Sequence, residues 1–300
     1  MGCDMISIKE YAYAKINLYL DVVSRRDDGF HDIKTVMHTI SLADKITVSV
    51  ARSKFPCVTL TVLGQPRLPT DSRNLAVKAA ELFLESTFIS ADVKIRLDKN
   101  IPIAAGLAGG SSDAAAVLRA MNRAFKRPLT EKRLLELAAQ LGSDVPYCLL
   151  GGTALCYGRG ELIERLDENL GLYLVVAVAD EHVSTPAAYA ELDAIYSDFK
   201  VPRCDNSEAA LDAVLSSVHS GVMTDFELFN IFENAIFKTC NGAESIKAQM
   251  LELGATHSLM SGSGPSVFGI FENEAAAVSA ASEFQKNGIR AYFAKSVVRD

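Results

Sequence analysis

The stretch that decides how this chain is read is IPIAAGLAGGSSDAAAVLRAMNRAF, residues 101–125. Its first half is made of small residues around Gly106, Gly109 and Gly110. Its second half carries Ala114, Val117, Leu118, Met121 and Phe125 at helical spacing. A glycine-rich loop running into a helix lets backbone amides approach a phosphate, and the helix adds its free N–H groups and the positive end of its dipole. The same composition also serves as a tight strand-to-helix connection, so both readings stay open at this point. Ser111 or Ser112 is the expected N-cap. Two common nucleotide fingerprints do not fit: GxxxxGKS/T lacks its lysine, and GxGxxG fails at Ala108. No HRD or DFG tripeptide occurs, which excludes a eukaryotic-type protein kinase.

Upstream of the loop, VKIRL (93–97) alternates as a strand, NLAVKAAELFLES (74–86) has helical periodicity, and KITVSV and VTLTVLG alternate again. The segment YAYAKINLYLDV (11–22) alternates cleanly, which places Lys15 and Asn17 together on the face opposite its apolar residues. That face points away from the core or into whatever the sheet binds. Downstream, a helix is expected from after Thr130 to Gly142, followed by a turn-rich segment holding Asp144, where Asp144 also reads as a helix N-cap before Pro146. From LYLVVAVAD onward the order is strand, a helix with Pro186 just inside it, mostly helical segments over 207–253, and then strand, tight turn, strand, helix, strand. A division into residues 1–163 and 164–300 is expected.

Three hundred residues with 49% hydrophobic and 22% charged content describe a folding chain and exclude a disordered one. Thirty basic against thirty-seven acidic residues give a net charge of −7, which opposes nucleic-acid binding. The longest apolar run, Leu172 to Ala179, is too short to span a bilayer, and MGCDMISIKE is not a secretory signal, so a cytoplasmic address is expected. The six cysteines, at 3, 57, 148, 156, 204 and 240, form neither a disulfide framework nor a zinc spacing and are expected to be buried thiols. The histidines show no zinc-binding pattern.

Three motifs in order, AYAKINLYLDV, PIAAGLAGGSSDAA and MSGSGPSVFGIF, resemble those of the GHMP kinases, small-molecule kinases. GFH at 29–31, RNLAVKAA at 73–80 and LGSDVPYCLLGGTALCYGRGE narrow the resemblance to members that phosphorylate a cytidine diphosphate-linked methylerythritol in the non-mevalonate isoprenoid precursor pathway. The resemblance implies an α+β, two-domain fold: an N-terminal domain similar to the second domain of ribosomal protein S5 and a ferredoxin-like C-terminal domain. It implies ATP on Pro102, Ile103, Ala104, Ala105, Gly106, Leu107, Ala108, Gly109, Gly110, Ser111 and Ser112, with Asn74 and Leu75 on the adenine side. It assigns catalysis to Lys15 and Asp144, and substrate contacts to Asn17, Phe30 and His31. Phe30 stands where relatives usually have Tyr, which removes one hydroxyl contact. Ala104 and Ala108 stand where glycine is common, and alanine there is expected to keep φ negative. Gly262, Ser263 and Gly264 match the C-terminal motif, which the resemblance places near the glycine loop, although they also read as a simple hairpin turn. Mg2+ is expected with the nucleotide, with Ser112 and Asp144 as candidate ligands. The alternatives are another GHMP kinase of the homoserine or mevalonate type, and a catalytically inactive nucleotide-binding regulator.

Overall fold

A computed structural model describes residues 5–166, 170–196, 207–223 and 228–297. The chain divides into two compact units, one of residues 1–14, 43–103 and 108–150, the other of residues 15–42, 104–107 and 151–300. Two long strands, β1 (Ile6–Arg25) and β2 (His31–Arg52), contribute their halves to different units.

The first unit adds β3 (Cys57–Leu63), α1 (Leu75–Thr87), β4 (Ala91–Asp98), α2 (Gly109–Ala124), α3 (Glu131–Leu141) and α4 (Val145–Leu150). The alternation in VKIRL appears as β4, which lies between the edge strand β3 and β2. It pairs antiparallel with β2, from Lys45 opposite Asp98 to Arg52 opposite Ala91, and parallel with β3. Its Val93, Ile95 and Leu97 are buried. Helix α1 starts where the Asn74 side chain accepts from the Ala76 amide, and α3 where Thr130 accepts from the Arg133 amide. The alanine-rich α2 is buried on nearly every face, a consequence of side chains small enough to let neighbours approach closely on all sides.

The second unit contains β5 (Thr153–Tyr157), β6 (Leu162–Leu166), β7 (Tyr173–Val178), α5 (Thr185–Ile195), α6 (Ser207–Ser220), β8 (Phe229–Asn230), α7 (Glu233–Ile236), α8 (Asn241–Glu252), β9 (His257–Met260), β10 (Ser266–Phe271), α9 (Glu274–Lys286) and β11 (Arg290–Lys295). Its four-stranded antiparallel sheet has the order β11-β7-β10-β9, the ferredoxin-like arrangement. Val175, Ala177 and Val267 of that sheet pack with Ile246 and Met250 of α8 and with Ala277 and Phe284 of α9. Elsewhere in this unit β2 pairs with β5, and β8 lies parallel to β1 at Tyr19 and Leu20.

No helix among the described residues is long and apolar enough to cross a membrane. Cys148, Cys156 and Cys240 are buried as expected, but Cys57 is exposed because it opens an edge strand of the first unit's sheet. Cys3 and Cys204 lie outside the described residues.

His38, buried in β2, contacts the hydroxyls of Thr153 and Ser296, each at 2.8 Å, and so ties β2 to β5 and to the residue after β11. Burial lowers its pKa from 6.5 to about 4, because the charged ring loses its water. The folded state therefore holds the neutral ring, and its advantage is complete above about pH 6.5 and is lost as the pH falls toward 4. The shift corresponds to about 3 kcal/mol at most. Denaturant unfolding between pH 7 and pH 4 is expected to show His38→Gln losing about one proton of linkage relative to the wild type. Parallel pH profiles for the two proteins would contradict this.

Candidate active site

The glycine loop leaves β4 at Asp98 and enters α2 at Gly109. The N-cap is Ala108, with no side-chain cap, so neither Ser111 nor Ser112 takes that role. Ser112 is instead buried inside the first turn and donates its hydroxyl to the Tyr13 carbonyl at 2.6 Å. Ala104 and Ala108 have φ of 52° and 54°, which overturns the expectation of negative values. Left-handed backbone at a non-glycine residue costs roughly 1–2 kcal/mol and persists where surrounding contacts over-determine the chain path. Two sets of contacts do so here.

The first set lies in the first unit. Lys99 Nζ donates to Asp44 at 2.5 Å and to Asp113 at 2.7 Å, with all three side chains almost fully buried. Asp44 also accepts from the Asn100 and Ile101 amides at 2.5 and 2.8 Å. One cation thus joins the segment before the loop to α2 behind it. Burial opposes the charge on Lys99, but its two carboxylates outweigh that and raise its pKa. Burial pushes the Asp113 carboxyl well above its ordinary value, against the attraction of Lys99, and its Oδ1 has no hydrogen-bond partner. With one cation between two acids, and with Asp44 also holding two backbone amides, burial weighs most heavily against the charge on Asp113.

The second set lies in the second unit, at the loop tip, residues 104–107. Lys15 Nζ donates to the Gly106 carbonyl at 3.0 Å and to Asn17 Oδ1 at 2.7 Å, and the Lys15 amide donates to the Leu107 carbonyl at 3.2 Å. Asn17 Nδ2 continues to Thr35 Oγ1 at 2.8 Å, which donates to the Tyr19 carbonyl. Ser261 Oγ also donates to the Gly106 carbonyl, at 3.1 Å. Lys15 is only 4% exposed, so its strand face is not turned toward open solvent. Among the described residues no carboxylate pairs with it: two neutral oxygens take two of its three protons. A buried cation without a counter-charge is costly to hold, and an anion that binds beside it relieves that cost. Lys99, by contrast, is over-compensated.

His31 and Phe30 also lie in the second unit. His31 is buried, its ring stacked on Tyr189 with centroids 4.6 Å apart and its Nε2 2.7 Å from Asp193 Oδ1. An ionised carboxylate only accepts, so Nε2 carries the proton and, in the neutral ring, Nδ1 is the acceptor nitrogen. Arg25 lies 3.5 Å from the same Asp193, and Tyr189 meets Phe232 edge-on at 4.9 Å. Phe30 is exposed, with the Arg159 guanidinium 4.9 Å from its ring centroid. Tyr189, Asp193 and Arg159 were not singled out by motif. Thr185, Tyr189 and Asp193 recur every four residues in TPAAYAELD, one face of α5, and that spacing is the signal that marks them. Thr185 is hydrogen-bonded to Ser263 at 2.9 Å.

The remaining candidates belong to the first unit. Asn74 uses both ends of its amide locally, Oδ1 as the cap of α1 and Nδ2 donating to the Pro69 carbonyl at 3.0 Å. Leu75 Cδ1 lies 3.8 Å from where a Cβ on Gly110 would be, so it borders the start of α2. Within the loop Ile103, Ala104 and Gly110 are exposed, whereas Pro102, Ala105 and Leu107 are buried. Asp144 immediately precedes α4, half-buried, with its carbonyl accepting from the Cys148 amide at 3.0 Å. Its carboxylate has no partner among the described residues, so its side chain does not cap α4. Asn17, Lys15 and Gly106 are brought together, and His31 is brought to Tyr189 and Asp193, whereas Phe30 meets only Arg159 in the contacts described above.

Profiles described as "GHMP kinases N terminal domain" and "GHMP kinases C terminal" match residues 74–152 and 211–290. The 4-diphosphocytidyl-2-C-methyl-D-erythritol kinase of Caldicellulosiruptor saccharolyticus is 41% identical over 276 residues, 91% of each chain. The chain belongs to the 4-diphosphocytidyl-2-C-methyl-D-erythritol kinase family of the GHMP kinases. A crystal structure of 4-(cytidine 5'-diphospho)-2C-methyl-D-erythritol kinase superposes with a TM-score of 0.79 at 32% identity, covering 97% of this chain and 100% of that one. Homoserine kinase from Cytophaga hutchinsonii superposes with a TM-score of 0.74 at 21% identity, covering 97% and 95%, which shows a shared GHMP kinase fold and nothing of substrate.

The unequal roles of Lys99 and Asp113 in the buried triad have a direct test in urea unfolding at neutral pH. Asp113→Asn is expected to stay within about 1 kcal/mol of the wild type, whereas Lys99→Met, which strands buried acids, loses about 3–5 kcal/mol. Equal losses in the two variants would contradict this.

Proposed function

We propose that this kinase transfers the γ-phosphoryl group of ATP to the 2-hydroxyl of 4-diphosphocytidyl-2-C-methyl-D-erythritol. The observation that carries the reading is the contact of Lys15 Nζ with the Gly106 carbonyl, which fixes a carboxylate-free cation on the glycine loop. The substrate class is supported by the names of the relatives and by GFH, whose histidine is held by Tyr189 and Asp193 in one orientation, as recognition of a base edge requires.

In this proposal the loop amides of 102–112 take the nucleotide phosphates, as a loop opening a helix does for anions. Asp144 accepts the hydroxyl proton as the oxygen bonds to the γ-phosphorus, the bond from that phosphorus to the bridging oxygen breaks, and ADP leaves. Lys15 offsets the charge on the moving phosphoryl group with the ammonium proton not taken by Asn17 or Gly106. Positioning supplies much of the rate, because an ionised aspartate is a weak base. For a divalent ion, the described residues contain no cluster of three ligating side chains, and the Ser112 hydroxyl is buried and already donated. Asp144 is the protein group that would hold such an ion, which would neutralise phosphate charge when bound with the nucleotide.

With ATP, magnesium and the purified protein, turnover of the cytidine diphosphate alcohol is expected to exceed that of homoserine or mevalonate; the reverse order would overturn the substrate assignment. Asp144→Asn is expected to lower kcat about 10²- to 10⁴-fold with little change in ATP affinity. His31→Ala is expected to raise KM for the cytidine substrate while leaving KM for ATP in place, and an unchanged KM would remove the base-recognition role.

A further inference from the structure

The turn between β9 and β10 touches the loop tip so closely that its own position must be set to within a fraction of an ångström. A Cβ on Gly106 would collide with the Ser261 carbonyl oxygen, and one on Gly262 would lie 3.0 Å from the Gly106 oxygen and 3.3 Å from Lys15 Nζ. What holds the turn is Asn230, at the end of β8. Its Nδ2 donates one proton to the Met260 carbonyl at 2.7 Å and the other to the Gly262 carbonyl at 2.8 Å, straddling Ser261. Its Oδ1 accepts from the Phe232 amide at 3.0 Å, and the side chain is 3% exposed. Three residues on, Glu233 Oε1 accepts from the Met260 amide at 2.9 Å and Oε2 from Lys247 at 2.6 Å. The segment 229–233 therefore grips the turn by both its carbonyls and an amide.

The same segment is anchored to the strand that carries Lys15. Asn230 is registered against Leu20 of β1, and the Ile231 amide donates to the Leu20 carbonyl at 3.0 Å. A closed circuit results: β1 to Asn230, Asn230 to the turn, Ser261 to Gly106, and Gly106 back to Lys15. Two carbonyls facing one side chain require two donors on one nitrogen, which asparagine supplies and the isosteric aspartate cannot.

Resting on the reading that the glycine loop binds ATP and Lys15 serves the phosphoryl group, we propose that Asn230, assisted by Glu233, is a positioning residue for phosphoryl transfer. Its side-chain hydrogen bonds go to the turn and to the Phe232 amide, and it acts by fixing the turn against which Gly106 is placed. Misplacement by about 1 Å is enough to cost on the order of 10²-fold in rate.

The test is steady-state kinetics of Asn230→Asp, Ser261→Ala and the double variant, with KM for each substrate measured separately. Asn230→Asp is expected to lower kcat/KM for ATP at least about tenfold and to leave KM for the cytidine substrate within about twofold, since it keeps the Oδ1 acceptor for the Phe232 amide, on the side of Tyr189 and His31, and removes only the two donors to the turn. The double variant is expected to be within about twofold of Asn230→Asp, because both changes act through Gly106. Equal losses toward both substrates, additive effects, or wild-type kinetics would each overturn the proposal. If Asn230→Asp does not fold, Glu233→Gln is read the same way, with a raised KM for ATP alone supporting the role and unchanged kinetics overturning it. If the wild type does not turn over the cytidine alcohol, the substrate reading fails, and calorimetric titration with a non-hydrolysable ATP analogue decides the brace: about tenfold weaker binding in Asn230→Asp supports it and equal affinity overturns it.

Discussion

At Gly106 the backbone has a left-handed φ of 75° and no room for a side chain, because the Ser261 carbonyl occupies the place a Cβ would take. Much of the second unit's site geometry depends on that contact. The Gly106 carbonyl, turned by it, receives both Lys15 Nζ and Ser261 Oγ. Lys15 is thereby fixed at its tip as well as at its backbone, where its amide meets Leu107. A long side chain with four rotatable bonds would otherwise sample many positions; here two neutral acceptors choose one.

The two buried lysines show how the same residue type is used for opposite ends. Lys99 faces two carboxylates and its charge is consumed within the protein, so it braces chain segments on either side of the loop. Lys15 faces an amide oxygen and a carbonyl, which orient the ammonium without neutralising it. Its field remains available to an incoming anion, and a buried site strengthens that field relative to water. This difference in partners, more than burial itself, separates a structural cation from a candidate catalytic one.

Much of this was legible in the sequence. The final strand, turn, strand, helix, strand series appears as β9 to β11 because each element carries its own signal: alternation, paired glycines, then EAAAVSAASEFQK at helical period. The partnership of Lys15 with Asn17 follows from period two. Their burial does not, since whether the polar face of a strand meets water depends on what folds over it, and nothing local encodes that. The alanines at 104 and 108 depart from expectation for a related reason: intrinsic preference argues for negative φ, and tertiary contacts override it. Tyr189 and Asp193 were visible only as a four-residue spacing, whose meaning depends on His31, over 150 residues earlier in the chain, arriving beside them. Asn230 had no local signal, because a buried asparagine in a two-residue strand looks like any polar residue until its acceptors are known.

The central claim, that backbone contact at Gly106 sets the nucleotide loop, is tested most directly by calorimetric titration of Gly106→Ala with a non-hydrolysable ATP analogue. The account predicts a variant that retains its far-UV circular dichroism but binds the analogue at least about tenfold more weakly, since an added methyl must push the loop tip off the Ser261 carbonyl. Wild-type affinity in that variant would contradict it.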